Sequence, residues 1–478
     1  MSEKFSLRSR LQIEGVFWDA SRPEKTFSGI VNSDGQHIEF NTAAELVNPE
    51  SLLLNSDQGR VPDIVHGFTT QGPCTLVGLH ELNAPGLADF PNNRAVRTHK
   101  YRVSACVVGC YLESDTLPVL SSATLSYSGV EEWLPGIGTI SVTEQGASVS
   151  FPAQLPTVLD MCVLANRTRI SIKIASNFQY SPGGRRYSAR SEPLVKVEPA
   201  EPKSLQWFVD LAYRFENFFS LCLGTSVRVK TMSVEGQWAE IAWLVQPRKG
   251  KAEKPDPQMW SQGDVSQLAA AISAWLSTPE EFRPLENLIY GTIRHSSLFV
   301  ETEFLSLAQA IESLHRLTDN TTIVAPTFFK QILKPLCGLI SEKCGDSAIA
   351  KRLLDGIRHA NEPGFQNRIQ SLLVRLTPDH VTKLLGDAVA FEQVLRQTRN
   401  YFTHPGITKK STVIADAKQL FLFNQKLHAL LRLLMLLNVG FPEQSVFEPI
   451  YYQSRRWTFD SPSLRRVIST SANPQKDV

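Results

Sequence analysis

The spacing of apolar residues divides this 478-residue chain in two. Up to about residue 200, short β-branched and aromatic runs are separated by Gly, Pro, Asn and Asp. They are Leu11–Trp18, His37–Phe40, Cys74–Leu79, Tyr101–Tyr111, Ala147–Phe151 and Arg169–Ala175. The stretch Arg169-Ile-Ser-Ile-Lys-Ile-Ala175 alternates with period two, as a half-exposed strand does. This spacing predicts a sandwich or barrel-like β domain. Leu205, Phe208, Val209, Ala212, Phe215, Phe218, Phe219 and Cys222 then keep helical spacing, and Gly224 is placed as a C-cap. The aromatic side of that helix reads as core. Val227–Val234 and Trp238–Gln246 follow as strands of an added sheet, and the polar, proline-rich residues 247–264 read as a loop.

From about residue 299 the apolar period becomes helical. Helices are expected at 300–319, 327–344, 347–359, 364–376, 387–404 and 411–439, punctuated by Pro326, Pro363, Pro378 and Pro405. The expected fold class is therefore α+β: a β-rich, sandwich-like N-terminal domain followed by an all-α bundle. The expected domains are 1–200 (β-rich), 201–298 (mixed extension), 299–440 (helical) and 441–478 (a C-terminal extension with a disordered end). The last helix of the bundle carries Leu427, Leu430, Leu431, Leu434 and Leu437, so it must be buried against other helices or at a subunit interface.

Composition narrows the class. Hydrophobic residues at 42% and charged residues at 20% fit a globular protein, and the length suggests two or three domains. The N-terminus has no apolar stretch after its charges. The apolar run Leu427–Phe441 is interrupted by Arg432 and is short for a bilayer, so no membrane segment is expected. Seven cysteines, at 74, 106, 110, 162, 222, 337 and 344, form no C-x2-C pair, which predicts reduced thiols in the cytoplasm and argues against a zinc site. The net charge of +2 is uneven: residues 1–298 carry −4, residues 299–440 carry +5 and the remainder +1. A basic helical region suits a polyanion, but ordinary scatter of surface charge gives the same figure.

One stretch stands out for chemistry. Arg399-Asn400-Tyr401-Phe402-Thr403-His404 closes an amphipathic helix before Pro405-Gly406. Arg399 supplies planar cationic donors for a phosphate, and His404 can exchange a proton near neutral pH. The same Arg-x4-His spacing occurs at Arg94–His99 and Arg375–His380, but the first lies in a Pro- and Asn-rich stretch and the second contains Pro378. Only Arg399 borders a buried helical stripe, made by Phe391, Val394, Leu395, Thr398, Tyr401 and Phe402. On an ideal helix His404 would sit about 140° from Arg399, but Pro405 biases it out of helical geometry, so its ring can turn elsewhere. The bland alternative is a capped helix end whose His satisfies backbone groups. Similarly, Asn400 can orient the His, bind a phosphate oxygen or cap the backbone, and Glu312 can steer His404 or the Arg or be a solvated helical acid. Tyr401 can stack on a base or pack in the core. Lys409 and Lys410 can meet an RNA backbone.

These residues carry a resemblance. Arg399-Asn400 followed by His404 is similar to the RN-x3-H signature of HEPN-domain ribonucleases. Phe304–Arg316, which includes Glu312, resembles the first helix of the HEPN region in the ApeA family of abortive-infection proteins. Gly15-Val-Phe-Trp18, the Gly29-containing turn after it and Glu131-Glu132-Trp133 resemble the β-rich N-terminal domain of that family. The resemblance covers most of the chain. It implies a metal-independent endoribonuclease of anti-phage defence that needs no cofactor and acts on RNA, with tRNA as the substrate class. It further implies catalytic Arg399 and His404, supporting Asn400 and Glu312, and substrate contacts from Tyr401, Lys409 and Lys410. The expected partners are a second copy in a homodimer or higher homo-oligomer and a phage-derived activator sensed by the N-terminal domain. The alternative from another class is a catalytically silent HEPN-type module that binds RNA or protein. No phosphate loop, metalloprotease helix or nucleophile elbow occurs in the sequence.

Overall fold

The structure is a computed structural model that describes residues 5–44, 46, 61–83, 98–133, 139–143, 146–150, 157–163, 167–180, 187–236, 239–246, 265–294, 298–319, 321–345, 347–404 and 413–458. The chain forms two compact units, Met1–Ser277 and Thr278–Val478.

In the first unit, six antiparallel strands close on themselves. They are β1 (Arg10–Asp19), β2 (Thr26–Asp34), β3 (Ile38–Thr42), β4 (Ile64–Thr69), β5 (Gly72–Asn83) and β6 (His99–Val108). The order β6-β3-β2-β1-β4-β5 becomes a ring because β5 also pairs with β6. Of the two forms the alternation allows, the strands take the barrel. Inward positions fill it: Ile13, Phe17, Val31, Phe40, Val65, Leu76, Tyr101 and Val103 are all buried. Gly29, expected in a turn, instead lies inside β2 opposite Gly15. A Cβ there would stand 2.4 Å from the Phe40 ring, and one at Gly67 would stand 2.3 Å from Phe17. These glycines let two aromatic rings lie against the backbone of a narrow barrel.

Beyond the ring the sheet continues through β7 (Leu120–Tyr127), β10 (Thr157–Val163), β11 (Thr168–Tyr180), β12 (Tyr187–Glu198), β13 (Val229–Gly236) and β14 (Ala239–Val245). A short α1 (Val130–Trp133) and the hairpin β8 (Thr139–Thr143) and β9 (Gly146–Ser150) are inserted after β7. The aromatic helix, α2 (Leu205–Leu223), is capped by Ser204 and by Gly224 at φ 68°, and its Phe208, Phe215, Phe218 and Phe219 are buried. Residues 247–264 and the basic turn Gly183-Gly184-Arg185-Arg186 lie outside the described residues. A further helix, α3 (Val265–Leu276), was not expected; Leu268, Ala271, Ile272 and Trp275 bury its apolar side.

The second unit contains α4 (Arg283–Arg294), α5 (Val300–Thr318), α6 (Pro326–Cys344), α7 (Ala348–Arg358), α8 (Phe365–Leu373), α9 (Pro378–Leu385), α10 (Ala388–Thr403), α11 (Ala417–Asn438) and α12 (Glu443–Thr458). Helix α5 packs on α4, α8, α10 and α11. The apolar positions read from the sequence, Phe304, Leu307, Ala308, Ile311 and Leu314, are all buried there. Helices α4, α9 and α12 were not expected. Pro378, taken as a break, occupies the first turn of α9, where its missing N–H costs nothing. The end of the C-terminal extension, expected to be disordered, falls within residues 459–478, which lie outside the described residues.

Helix α11 is long and apolar enough by composition to cross a membrane, yet 72% of its apolar window is buried within the fold. It packs on α5, α9 and α12, and Arg432 hydrogen-bonds Gln453 of α12. Its apolar character is therefore satisfied inside one chain, and the sequence-based case for a subunit contact at this helix falls away.

Candidate active site

Helix α10 begins at Asp387, whose carboxylate accepts from the Ala390 N–H, and ends at His404. His404 leaves helical geometry (φ −135°, ψ 72°) while its N–H still reaches the Asn400 carbonyl at 2.8 Å. The ring is exposed and, among the described residues, has no side-chain partner. Backbone capping thus uses only the amide of His404 and leaves the imidazole free.

One turn earlier, Arg399 is half-buried and held on two sides. Its Nη2 donates to Glu312 Oε2 of α5 at 3.0 Å, and its guanidinium lies 4.7 Å from the Phe365 ring centroid at the start of α8. The Arg399 side chain keeps 28% of its surface exposed and Glu312 keeps 15%. The guanidinium is therefore fixed in direction but still open to a ligand on one side. Of the two roles open to Glu312, the structure brings it to the Arg and not to His404. Tyr401 and Phe402 are half-buried, with the rings edge-to-face at 5.2 Å and Phe402 5.9 Å from buried Phe304. Asn400 is also half-buried.

Lys409 and Lys410 fall in residues 405–412, outside the described residues. The chain is next fixed at Ile414, whose N–H donates to the buried Thr398 hydroxyl at 3.1 Å.

Behind Arg399 runs an ion ladder the sequence reading missed. Glu312 also accepts from Arg316 at 3.2 Å, and Arg316 reaches Glu362 at 2.9 Å. Glu362 in turn takes Arg368 at 3.1 Å and pairs with His359 at 2.7 Å. Hydrogen bonding from His359 lowers the Glu362 pKa from its usual value. Arg368 Nη1 lies 3.3 Å from Nδ1 of the fully buried His315. Burial first, and the charges of Arg368, Arg375 and Arg316 with it, hold His315 toward the neutral form against the pull of Asp319. Asp319 is itself brought down to about 2, chiefly by the Ser371 hydroxyl at 2.6 Å. The i, i+4 spacing of Glu312 and Arg316 was a legible signal; the arrival of Arg368 and Phe365 from α8 was not.

The histidines of the two other Arg-x4-His pairs make structural contacts, and Arg94 lies outside the described residues. His99 is buried in β6 beside Glu81 at 3.3 Å, and His380 is pinned by Glu443 at 2.6 Å and stacked on Phe447 at 3.7 Å. Among the described residues no group of three or more His, Cys, Asp or Glu side chains could hold a metal ion.

Two family models match the chain: ApeA N-terminal domain 1 over residues 12–237, and Apea-like HEPN over residues 305–445. The second match contains Glu312, Arg316, Phe365, Arg399 and His404. No curated protein matches the chain.

Proposed function

Because the chain is an ApeA-like protein with a C-terminal HEPN domain, we propose that it is an endoribonuclease of anti-phage defence that cuts RNA, tRNA in particular, without a metal. The observation that carries this is the contrast within one helix end. Arg399 is fixed by Glu312 and Phe365, while His404, five residues on, has an exposed ring with no side-chain partner among the described residues. A fixed cation and an exposed imidazole at one helix end suit attack by the ribose 2′-OH on its own 3′-phosphate. The Arg399 guanidinium steadies charge on the non-bridging oxygens. His404 takes the 2′ proton or returns one to the departing 5′ oxygen. The P–O5′ bond breaks as the P–O2′ bond forms, leaving a 2′,3′-cyclic phosphate and a 5′-hydroxyl.

One histidine per chain serves only one of those two transfers well. A homodimer that brings two Arg399–His404 pairs to one cleft supplies the other. In this proposal Asn400, Tyr401, Lys409 and Lys410 contact the RNA, the N-terminal barrel senses a phage-derived activator, and the protein works in the cytoplasm.

The test is incubation of the activated protein with tRNA in EDTA, with sequencing of the product ends. Cleavage with cyclic-phosphate ends, lost in Arg399→Ala and in His404→Ala, is expected. Activity that disappears in EDTA and returns with Mg²⁺ would contradict the chemistry. RNA binding without cleavage would instead make the domain an interaction module.

A further inference from the structure

Arg399 is the first of three surface groups joined through two carboxylates. Glu312 takes Arg399 Nη2 on Oε2 at 3.0 Å and Arg316 Nη2 on Oε1 at 3.2 Å. Glu362 takes Arg316 Nη1 on Oε2 at 2.9 Å and His359 Nδ1 on Oε1 at 2.7 Å. Helix α10, helix α5 and the connection from α7 to α8 thereby bring Arg399, Arg316 and His359 into one row.

The basic groups stand in front and the acids behind. Side-chain exposure rises along the row from 28% at Arg399 to 49% at Arg316 and 75% at His359, whereas Glu312 keeps 15% and Glu362 keeps 38%. Each carboxylate is less exposed than either member of the row that it joins. Each is also held by two arginines, Glu312 by Arg399 and Arg316, and Glu362 by Arg316 and the buried Arg368. A phosphate can therefore draw on one guanidinium without stranding a carboxylate. The acids nearby are engaged elsewhere: Asp355 pairs with Arg358 at 3.3 Å, and Asp319 with Arg375 at 3.7 Å.

Both arginines of the row keep donors to spare. A guanidinium has five N–H groups, and these ion pairs occupy one on Arg399 and two on Arg316. No nitrogen of Arg399 is buried without a partner, and Arg316 is an exposed residue, so the remaining donors are open to a ligand. Arg396, three residues before Arg399 on α10, differs in that its Nε is buried. Spacing adds to this. The two guanidiniums grip the two oxygens of one carboxylate, so their bonded nitrogens are at most about 8 Å apart. Two successive phosphates of one strand bridge such a span.

We infer that the row is a backbone track for the RNA. With the scissile phosphate on Arg399, the next phosphate of the strand lies on Arg316, and the strand leaves past His359. This rests on the ribonuclease reading, which puts the scissile phosphate at Arg399.

Anisotropy of fluorescein-labelled tRNA tests it, on the full chain carrying His404→Ala, which keeps the row and stops cleavage. Adding Arg316→Ala should weaken binding about fivefold at about 0.1 M salt and lower the slope of log affinity against log salt by about 0.7 to 0.9. Arg316→Lys should keep the slope, because it keeps the charge. Adding His359→Ala should weaken binding about twofold. Lys383→Ala removes an exposed cation paired with Glu448 of α12, outside the row, and should leave affinity and slope unchanged. If Arg316→Ala proves unstable by circular dichroism, Arg316→Gln, which keeps a donor for Glu312, gives the same reading. Unchanged affinity and slope in the Arg316 variants, from a protein whose activated wild type cuts tRNA, overturn the track and leave the nuclease reading standing. Unchanged affinity in His359→Ala overturns the third contact. An activated wild type that neither binds nor cuts tRNA overturns the nuclease reading, and the track with it.

Discussion

Removing the Arg399 side chain takes away one ion pair and one cation–π contact, but Glu312 keeps Arg316. No carboxylate is stranded, so Arg399→Ala should cost about 1 kcal/mol of stability. His404→Ala, at an exposed position, should cost within about 0.5 kcal/mol. Urea titration checks both, and a collapse of either variant would mean that loss of cleavage says nothing about chemistry. Glu312→Gln separates anchoring from catalysis: the guanidinium loses its fixed direction, and the cleavage rate should fall by up to about a hundredfold with the fold intact. A rate equal to wild type would remove Glu312 from the site. His315 gives a pH dependence. Burial holds its folded pKa below the ordinary histidine value of about 6.5, so the unfolded chain takes up the proton first. Stability contributed here is complete above pH 6.5 and is lost as the pH falls. Urea midpoints between pH 7.5 and 5 should therefore decline less in His315→Gln than in the wild type.

Helix α9 is held from outside itself. Glu443 of α12 accepts from the Thr377 amide at 3.0 Å, the Thr377 hydroxyl at 2.9 Å and His380 at 2.6 Å. Glu443→Ala should destabilise the helical unit by about 2 kcal/mol, since it removes a cap and a histidine partner together. Cleavage per folded molecule should stay the same, and a thermal melt with a parallel RNA assay reads both. This contact also shows what the sequence hid. Helix α5 and helix α10 were legible because their apolar residues recur every three or four positions, and the exit of His404 from the helix was legible from Pro405. Helix α9 was not, because eight residues that begin with Pro378 resemble a loop and their cap comes from residue 443. Gly29 misled for a similar reason. A glycine reads locally as a turn, but here it answers to Phe40, a residue on another strand. Phe365 and Arg368 reach the Arg399 neighbourhood only through helix packing, which no spacing along the chain records.

At the scale of the molecule, each unit manages its surfaces differently. The barrel leaves no unpaired strand within its ring. The helical unit buries its most apolar helix, α11, at its centre and leaves α6 with no buried residue. That last feature has an energetic consequence for a lone chain. A helix of this length has little stability in water by itself, and α6 also carries Pro335 in its interior. Its backbone should therefore open by local unfolding at a cost of about 1–2 kcal/mol, well below that of the whole unit. Amide hydrogens of α6 should exchange with deuterium early, while those of α5 and α11 remain protected. Trypsin should cut first after Lys330 and Lys343, since Pro335 blocks cleavage after Lys334, and leave the rest of the helical unit intact.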